Sequence, residues 1–313
     1  MGLPRRVTIT EVVLRDGLQD EPAMVATAEK LALLEGLVTA GLRSIEIGAF
    51  VLPDRVPQMA DTDALFASLA AESPKTGEDA PVYSALVMNR RGAERALAAG
   101  ADEVRLVVSA SEGHSRSNGG RPVAEALDEL IEAAALLRQA RTPPILSAGI
   151  ATAFVCPYDG LTPPDRLVEI ADRLTASGVR SISLADTLGA ATPLQVRAGV
   201  RAVQTAHPET HVGLHLHDTE GMALANVWEA LNLGVDWFDT ALGGIGGCPF
   251  APGAAGNLAT EDLLGLLHKL GIDTGVDLER LTALTPSLAQ LVDHPLDSRR
   301  ARLATAAPAG AGS

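Results

Sequence analysis

A helix that ends in glycine and leads directly into a short apolar strand recurs four times in this chain, and this repeat constrains the fold more than any other feature. The glycine permits the left-handed turn with which helices commonly end; it stands at Gly41, Gly100, Gly178 and Gly234. Further apolar runs lie between the repeats. Together they predict eight strands, at Val7–Leu14, Ile45–Ile47, Pro81–Met88, Val104–Val107, Ile145–Val155, Ile182–Leu184, His211–His217 and Trp237–Phe238.

Amphipathic stretches separate these strands and predict helices, among them Ala23–Thr39, Val123–Arg138, Pro164–Ala176, Pro193–Ala206 and Leu224–Asn232. Strict alternation of strands and helices favours parallel pairing through right-handed crossovers. Eight such units close most economically into a (β/α)8 TIM barrel of the α/β class, and 313 residues are enough for one. An open doubly wound sheet is the alternative, but the glycine-rich nucleotide-binding motif expected after its first strand is missing.

The sequence after the eighth strand predicts a short helical extension and then a tail. Two helical patterns, Leu263–Leu270 and Leu278–Leu291, follow the barrel, and we expect the second to pack beneath or beside it. From Arg299 onward the chain is rich in Ala, Pro and Gly, a composition typical of disorder. We therefore expect one domain over residues 1–298 and a disordered tail over residues 299–313.

The charge and the cysteine content disfavour several classes of function. A formal net charge of −14 argues against a nucleic-acid or anionic-membrane surface, because binding phosphates needs clustered Lys and Arg. Two cysteines, Cys156 and Cys248, cannot form a disulfide framework, so we expect a cytoplasmic protein. Met1–Arg6 carries no apolar signal segment, and no stretch approaches the length of a transmembrane helix.

Unusual polar residues fall where the predicted strands end, which is where barrel enzymes place their chemistry. Arg15 and Asp16 close the first strand. A carboxylate there can bind a metal ion, and the neighbouring guanidinium can stabilise a developing oxyanion. The alternative is an Arg–Asp surface turn.

Two histidines, His215 and His217, lie at the end of the seventh strand, followed by Asp218. Because side chains alternate between the two faces of a strand, both imidazoles point to the same side of the sheet. Two imidazoles near one point suit a divalent cation. A single histidine in a strand would usually be structural, whereas this spacing favours a metal site.

Three further polar features complete the candidate set. The glycine-rich run Gly243–Pro249 follows the eighth strand and presents Cys248, either on a loop that closes over a ligand or on an ordinary flexible loop. Asp186–Thr187 and Glu46 lie on other strands, where each carboxylate is either functional or a satisfied buried group. Asn257 precedes a predicted helix, so an N-cap is its structural alternative. Carboxylate, imidazole and amide ligands fit Mg²⁺ or Mn²⁺ as well as Zn²⁺.

These residues together resemble the hydroxymethylglutaryl-CoA lyase family. The similarity runs in order from about Val7 to Leu278, through Arg15–Gln19, Val56–Asp61, Cys156–Tyr158, Asp186–Thr187, His215–Thr219, Gly246–Pro249 and Gly256–Asp262. The motifs of the first strand, the seventh strand and the glycine loop are together specific to the superfamily of metal-dependent lyases and synthases. The Gly-Gly-Cys-Pro loop points to its lyase branch.

The resemblance implies a TIM barrel that cleaves an acyl-CoA thioester by retro-Claisen chemistry with Mg²⁺ or Mn²⁺, as in leucine degradation and ketone-body formation. It also implies a homodimer. It assigns metal binding to Asp16, His215 and His217, with Asn257 completing the shell directly or through water. Arg15 would stabilise charge on the thioester oxygen, Cys248 would protonate the product enolate, and Asp186 and His215 would take part in catalysis. Glu46 would orient Arg15 or its neighbours, and the substrate would contact Arg15, Gln19, Thr187 and Asn257.

Several positions depart from the family pattern near the expected acyl site. Leu52 stands where a serine is common, His114 where a phenylalanine is common, and Glu220 and Met222 where a tyrosine and a glutamine are common. None of them is a proposed metal ligand or acid group. We therefore expect the chemistry to be retained, with the 3-hydroxy-3-alkyl acyl group open.

Three other functions remain as alternatives from the sequence. A condensing synthase of the same superfamily would join acetyl-CoA to a 2-oxo acid, although such enzymes usually carry a longer C-terminal region. An aldolase would act on a free hydroxy-oxo acid without CoA. A non-catalytic barrel serving as a binding subunit would be expected to have lost at least one of the site residues.

Overall fold

The structure, a computed structural model, describes residues 2–72, 79–247 and 256–306. In this part of the chain, eight parallel strands close into a barrel in which each strand pairs with its neighbours in chain order and the last pairs with the first. This confirms the predicted (β/α)8 architecture. The strands are β1 Thr8–Glu11, β2 Ser44–Ala49, β3 Val82–Val87, β4 Glu103–Ser109, β5 Ile145–Ala151, β6 Ser181–Asp186, β7 His211–Leu216 and β8 Trp237–Thr240.

Helices surround the barrel and continue beyond it. They are α1 Thr27–Thr39, α2 Thr62–Glu72, α3 Arg90–Ala99, α4 Glu112–Gly119, α5 Val123–Arg138, α6 Pro164–Ala176, α7 Pro193–Ala206, α8 Ala223–Asn232, α9 Thr260–Lys269, α10 Leu278–Thr282, α11 Thr285–Val292 and α12 Arg299–Ala306. Short helical turns cover Val13–Gly17, Pro57–Met59 and Leu242–Gly244, and a two-stranded antiparallel ribbon joins Val155–Cys156 to Gly160–Leu161. None of the helices in the described ranges is long and apolar enough to cross a membrane.

Local sequence explains where the helices begin. The hydroxyl of Thr192 accepts a hydrogen bond from the backbone of Gln195, whose side chain bonds back to Thr192, and Pro193 occupies the first turn of α7. This capping box satisfies backbone donors that a helix start leaves free. Asn89 caps α3 by one bond only, in which its side chain accepts from the backbone of Gly92. Strong start signals of this kind explain why the predicted bounds of α7 are correct.

Side-chain alternation along the strands separates an apolar outer layer from a polar interior. On β4, Val104, Leu106 and Val108 belong to the main core between strands and helices, whereas Arg105 and Val107 point into the barrel. The same alternation holds on the other strands. The branched aliphatic residues therefore pack the outer layer, and the barrel interior is left for charged and small side chains.

The first strand is shorter than predicted. It ends at Glu11, and Val13–Gly17 forms a single π-helical turn whose amide groups bond back to the carbonyl of Val12. Such turns are frequent at functional sites because they change the direction of the side chains that follow. This turn places Arg15 and Asp16 at the carboxyl end of the barrel.

The C-terminal region differs from the prediction in two respects. Leu278–Leu291 forms two helices, α10 and α11, with Pro286 in the first turn of the second. The expected disorder from Arg299 is wrong for Arg299–Ala306, which form α12. The carboxylate of Asp262 accepts hydrogen bonds from the backbone of Arg299 and Arg300, so α9 supplies the cap that the local composition does not reveal. Residues 307–313 lie outside the described ranges.

Candidate active site

A closed ring of six charged or ionisable side chains lies inside the barrel, and it extends from the middle of β2 and β4 to the turn after β1 and the carboxyl end of β7. Its members come from five strands or their following turns, in the order Asp16, Arg15, Glu46, Arg105, Asp239 and His215, with His215 returning to Asp16. All but Asp16 are buried, and Asp16 is half-buried. Opposite charges alternate around the ring, which offsets the cost of removing each of them from water.

Arg15 is held between two carboxylates. Its guanidinium contacts Asp16 and Glu46, and only 7% of the residue is exposed. The second oxygen of Glu46 lies 3.4 Å from Nε of Arg105. This arrangement fixes the direction of Arg15 at the mouth of the barrel. The orienting role that the resemblance implies for Glu46 stays a prediction.

The two predicted histidines and Asp16 converge on one point. Nε2 of His215 lies 3.2 Å from Nε2 of His217, and these two atoms lie 3.5 Å and 3.4 Å from Oδ2 of Asp16. Asn257 joins them, because its Nδ2 donates to the same Asp16 oxygen at 2.9 Å. Among the described residues, Asp16, His215 and His217 form a cluster of donor atoms close enough together to hold a metal ion.

The residues present fit a divalent metal ion. Ligand atoms about 2.1 Å from a common ion are about 3.0 to 3.4 Å apart, close to the separations observed among these three donors. The amide oxygen of Asn257 is buried without a hydrogen-bond partner in the structure, as is Nδ1 of His217. A buried amide oxygen with no partner is costly unless something binds it. A role for Asn257 as a fourth ligand stays a prediction, because the atom that faces Asp16 is its amide nitrogen.

Electrostatics keeps the carboxylate of this cluster ionised. Burial by itself raises the pKa of Asp16, but the charge of Arg15 and hydrogen bonds from His215 and His217 outweigh burial and hold that pKa well below its usual range. Burial lowers the pKa of His215, whereas hydrogen bonds to Asp16 and Asp239 raise it to about 9. The cluster thus carries an ionised carboxylate beside His215, whose ring has to release its proton before its nitrogen can bind a metal ion.

Arg105 and Asp239 belong to the ring, although sequence reasoning did not identify them. Nη1 of Arg105 donates to Oδ2 of Asp239 at 2.7 Å, and Ser183 donates to the same oxygen at 3.1 Å. Oδ2 of Asp239 also lies 3.5 Å from Nδ1 of His215 and so orients the ring of that histidine. The sequence signal for each was a charged residue next to apolar ones, Arg105 between Val104 and Leu106 and Asp239 after Phe238.

Asp186 and Thr187 lie at the end of β6, but most of their described contacts are to backbone. The carboxylate oxygens of Asp186 accept hydrogen bonds from Ala190 and Ala191, and Thr187 accepts one from Thr152. Burial raises the pKa of Asp186, and these backbone bonds oppose the rise. The observed contacts hold the loop after β6, and a role in proton movement stays a prediction.

The glycine-rich loop approaches the cluster closely at its base. A Cβ on Gly256 would collide with the carbonyl oxygen of Gly246, and Gly246 has a φ of 109°, so both positions require glycine. Nδ2 of Asn257 donates to the carbonyl of Ile245 at 3.1 Å, which ties the amide to this loop. Asn257 does not cap α9, which begins at Thr260 after Ala259. Cys248 lies outside the described residues.

Two buried carboxylates support the loop from outside the barrel. Glu11 accepts hydrogen bonds from the backbone of Val13 and Leu242, each at 2.9 Å, and from the hydroxyl of Thr260. Glu261 accepts from the backbone of Gly243. Glu11 therefore holds together the turn that carries Arg15 and Asp16 and the first residues of the glycine loop. Sequence analysis did not single out either residue.

The departures from the family pattern occupy different parts of the rim. Leu52 is 55% exposed, and Glu220 is exposed beside the loop after β6, where its backbone donates to Gly189. Met222 is partly exposed before α8. His114 is buried, with Nδ1 3.0 Å from the hydroxyl of Ser109 on β4. Gln19 is partly buried beyond the turn that carries Asp16. None of these residues belongs to the metal cluster.

The chain is similar to known proteins over most of its length. The HMGL-like family model matches residues 6–287. The chain is 44% identical to the (R)-citramalyl-CoA lyase of Chloroflexus aurantiacus, over 93% of this chain and 92% of that protein. It is 38% identical to a hydroxymethylglutaryl-CoA lyase of Bacillus subtilis, over 96% of this chain and 97% of that protein.

Solved structures agree with these matches. The crystal structure of the Bacillus subtilis HMG-CoA lyase superposes with a TM-score of 0.91 at 37% identity, covering 98% of this chain and 100% of that one. An HMG-CoA lyase from Acinetobacter baumannii in complex with coenzyme A and 3-methylmalate superposes with a TM-score of 0.87 at 36% identity, covering 99% of this chain and 97% of that one.

Proposed function

The chain belongs to the HMGL-like family and is an oxo-acid lyase; from this premise we propose that it cleaves 3-hydroxy-3-methylglutaryl-CoA, or a close 3-hydroxy-3-alkylglutaryl-CoA, to acetyl-CoA and the corresponding 3-oxo acid. The observation that carries the proposal is the convergence of Asp16, His215 and His217 beside the buried guanidinium of Arg15. We treat residues 1–298 as the lyase domain.

The proposed reaction breaks the bond between the carbinol carbon and the adjacent methylene carbon of the thioester. The hydroxyl proton leaves, the carbinol becomes a ketone, and the bonding electrons pass to the thioester as an enolate. Protonation of that enolate carbon gives acetyl-CoA. Substrate and products balance without water, oxidant or reductant, so the protein has to supply proton transfer and charge stabilisation.

Arg15 is suited to stabilise the enolate. Its guanidinium is fixed by Asp16 and Glu46 at the mouth of the barrel, and a donor oriented in advance stabilises developing charge without reorganisation. Asp16, His215, His217 and Asn257 would hold Mg²⁺ or Mn²⁺. A divalent cation at such a site supplies Lewis-acid charge for a substrate oxygen.

The remaining roles follow the family resemblance. Cys248 would protonate the enolate carbon, and Asp186 would assist movement of the hydroxyl proton. His215 would contribute to catalysis through the metal ion that it helps to hold. Gln19 and Thr187 would contact the substrate, with Asn257 alongside the metal. Glu46 would position Arg15, for which its contact with the guanidinium is direct support. A homodimeric state and a cytoplasmic location stay predictions.

A second candidate substrate is (R)-citramalyl-CoA. The relative that acts on it by name is 44% identical to this chain. This thioester has the same methyl-bearing carbinol carbon, but its carboxylate is one methylene closer, and cleavage gives pyruvate with acetyl-CoA. The same ring of charges would serve either reaction, because the bond broken and the charge that develops are the same.

The decisive experiment offers both thioesters to the metal-stripped protein with and without Mg²⁺ or Mn²⁺, and measures acetyl-CoA, acetoacetate and pyruvate. We expect metal-dependent acetyl-CoA with acetoacetate, and loss of both products in Cys248→Ala. Pyruvate in place of acetoacetate would assign the citramalyl substrate. Acetyl-CoA consumption with a 2-oxo acid would indicate the synthase, and turnover of the free acid without CoA would indicate the aldolase. No reaction in any assay would favour the alternative of a non-catalytic barrel that serves as a binding subunit.

A further inference from the structure

Glycines occupy three positions within the barrel strands, and two of them are required by packing. A Cβ on Gly48 would lie 2.5 Å from the hydroxyl of Thr62, and a Cβ on Gly213 would collide with the ring of Trp237. Glycine inside a strand weakens it, so the residue usually marks a place that another group approaches closely. At Gly48 and Gly213 that group is a side chain of the protein itself.

Among the residues that the structure describes, Gly149 on β5 has no such neighbour. A Cβ built there would meet one atom of those residues within 4 Å, Cγ2 of Val107, at an ordinary van der Waals distance of 3.4 Å. Its φ is outside the left-handed region, so the backbone does not need glycine either. The packing of the described residues therefore does not require a glycine at this position, and the space beside it can receive a ligand group.

The space opens into the barrel beside the ring of charges. On β5, Leu146, Ala148 and Ile150 belong to the outer core, so Ser147 and Gly149 face inward. Gly149 is in register with Val107 on one side and with Ser183 on the other. Ser183 donates to Asp239, which contacts His215. Two strand spacings, about 10 Å along the barrel wall, separate Gly149 from the metal-binding strand.

The wall on this side of the mouth is apolar. Ala49 and Leu86 belong to an apolar cluster separate from the main core, and Met88 and Val107 pack against it. Val107 is partly exposed although both of its strand neighbours are buried, as expected for a side chain that faces the open mouth. On β6, the partly exposed Ala185 is in register with His215. The mouth thus has a charged side and a side of apolar or small residues.

We infer that Gly149 determines specificity: the recess over its α-carbon, bordered by Val107, receives the alkyl group on the carbinol carbon of the acyl chain. This inference rests on the proposed lyase function. The hydroxyl and the carboxylate of the substrate belong with the charged side, so the substituent left over is directed to the apolar side. A glycine leaves room for a substituent larger than methyl.

The test uses two series of CoA thioesters, each with methyl, ethyl or propyl on the carbinol carbon. The first series is 3-hydroxy-3-alkylglutaryl-CoA. The second, the citramalyl series, is citramalyl-CoA and its analogues in which ethyl or propyl replaces the methyl group. Wild type, Gly149→Ala and Gly149→Val are compared by kcat/KM. The loss in Gly149→Val should increase with the alkyl group. It should be about tenfold larger for ethyl than for methyl, and larger again for propyl, because one methylene in an apolar pocket changes selectivity by about tenfold or more. Val107→Ala should change the ratio in the opposite direction, in favour of propyl.

Val82→Ala is the matched control, since it makes the same substitution as Val107→Ala on the neighbouring strand. Val82 lies two residues before Ser84 on the same face of β3, at the opposite end of the barrel. It should leave the propyl-to-methyl ratio unchanged. Circular dichroism and the thermal midpoint report whether each variant is folded, and a variant that cleaves the methyl substrate is by that fact folded enough to compare.

The outcomes separate this inference from the proposed function. Cleavage of the citramalyl series alone would overturn the glutaryl substrate and still test the recess within the second series. A uniform loss across methyl, ethyl and propyl in Gly149→Val, with Val107→Ala without effect on the ratio, would overturn the inference and leave the lyase in place. No cleavage of either series by the wild type would overturn both.

Discussion

Outside the ring of charges, the ionisation of the Glu11 carboxyl should have the clearest effect on how stability depends on pH. Burial raises its pKa from 4.5 to about 7, a rise that Glu261 reinforces and that hydrogen bonds from Thr260, Leu242 and Val13 oppose. A carboxyl whose pKa is raised on folding contributes stability that is complete below pH 4.5 and is lost as the pH rises to about 7. Above pH 7 its contribution no longer changes.

Glu11→Gln should therefore remove a pH dependence. Glutamine keeps an acceptor for the two backbone donors but cannot ionise. The free energy of unfolding of the variant relative to wild type should rise by about 3 kcal/mol between pH 4.5 and pH 8, from a pKa change of about 2.5 units at 1.36 kcal/mol each. Urea unfolding at both pH values measures it. A difference that does not vary with pH would show that Glu11 titrates normally.

Arg105 is the residue on which the buried ring depends most. Removing its guanidinium leaves Asp239 and Glu46 as buried carboxylates without their shared cation. We expect Arg105→Ala to lower the free energy of unfolding by about 3 to 5 kcal/mol, the usual consequence of breaking a buried ion pair from one side.

Arg90→Ala is the control for that change. Arg90 pairs with Glu94 on the surface of α3, where more than half of each side chain is exposed. Loss of such a pair should cost less than about 1 kcal/mol. Equal losses in the two variants, measured by urea unfolding at pH 7, would contradict the idea that the interior ring contributes more than surface pairing.

At the scale of elements, the segment Val56–Asp61 joins two loops of the mouth. Gln58 is buried; its amide donates to the carbonyls of Glu21 and Ala23, and its oxygen accepts from the backbone of Val25. Lys30 adds a bond from α1 to the carbonyl of Gln58 at 2.5 Å. The loop after β1 is thus fastened to the loop after β2, which explains this part of the motif structurally.

Gln58→Ala should release the loop after β1. Three hydrogen bonds are lost and buried backbone groups remain unpaired, so we expect about 2 kcal/mol less stability and faster hydrogen exchange at the amide of Val25. Urea unfolding measures the loss of stability, and hydrogen exchange followed by mass spectrometry or NMR measures the rate at Val25. Gln139→Ala, at the exposed end of α5, should change neither. Unchanged exchange at Val25 in Gln58→Ala would mean that Lys30 fastens the loop unaided.

At the scale of the whole molecule, metal binding should stabilise the fold. The donors come from the turn after β1, from β7 and from the loop before α9, so only the folded chain brings them together. At 100 times its Kd, an ion adds about 2.7 kcal/mol, which corresponds to about 4 °C in the thermal midpoint for a chain of 313 residues.

Asp16→Asn should abolish this shift, because a neutral amide is a weaker ligand than a carboxylate. Asp165→Asn serves as the control: Asp165 is an exposed acid in the first turn of α6, outside the donor cluster. Scanning calorimetry with and without Mn²⁺ measures both variants, independently of turnover. An undiminished shift in Asp16→Asn would place the ion elsewhere.

The sequence by itself determined the architecture and the donor set. Glycine stops, capping residues and period-two alternation are local signals, so eight strands and the positions of Asp16, His215 and His217 at strand ends could be predicted. The tertiary structure alone decided what these residues meet. Arg105 joins Asp239 across 134 positions of chain, and Glu11 reaches Thr260 across 249.

Contacts of that length depend on barrel closure and strand register, which local patterns do not encode. The space at Gly149 is a clearer case still, because a glycine reads the same in sequence whether its neighbour is a protein side chain, as at Gly213, or an open recess. The tail shows the same limit: Arg299–Ala306 is helical because Asp262, on a distant helix, caps it. The chain sequence specifies the donors, and packing decides the shape of the space that they face.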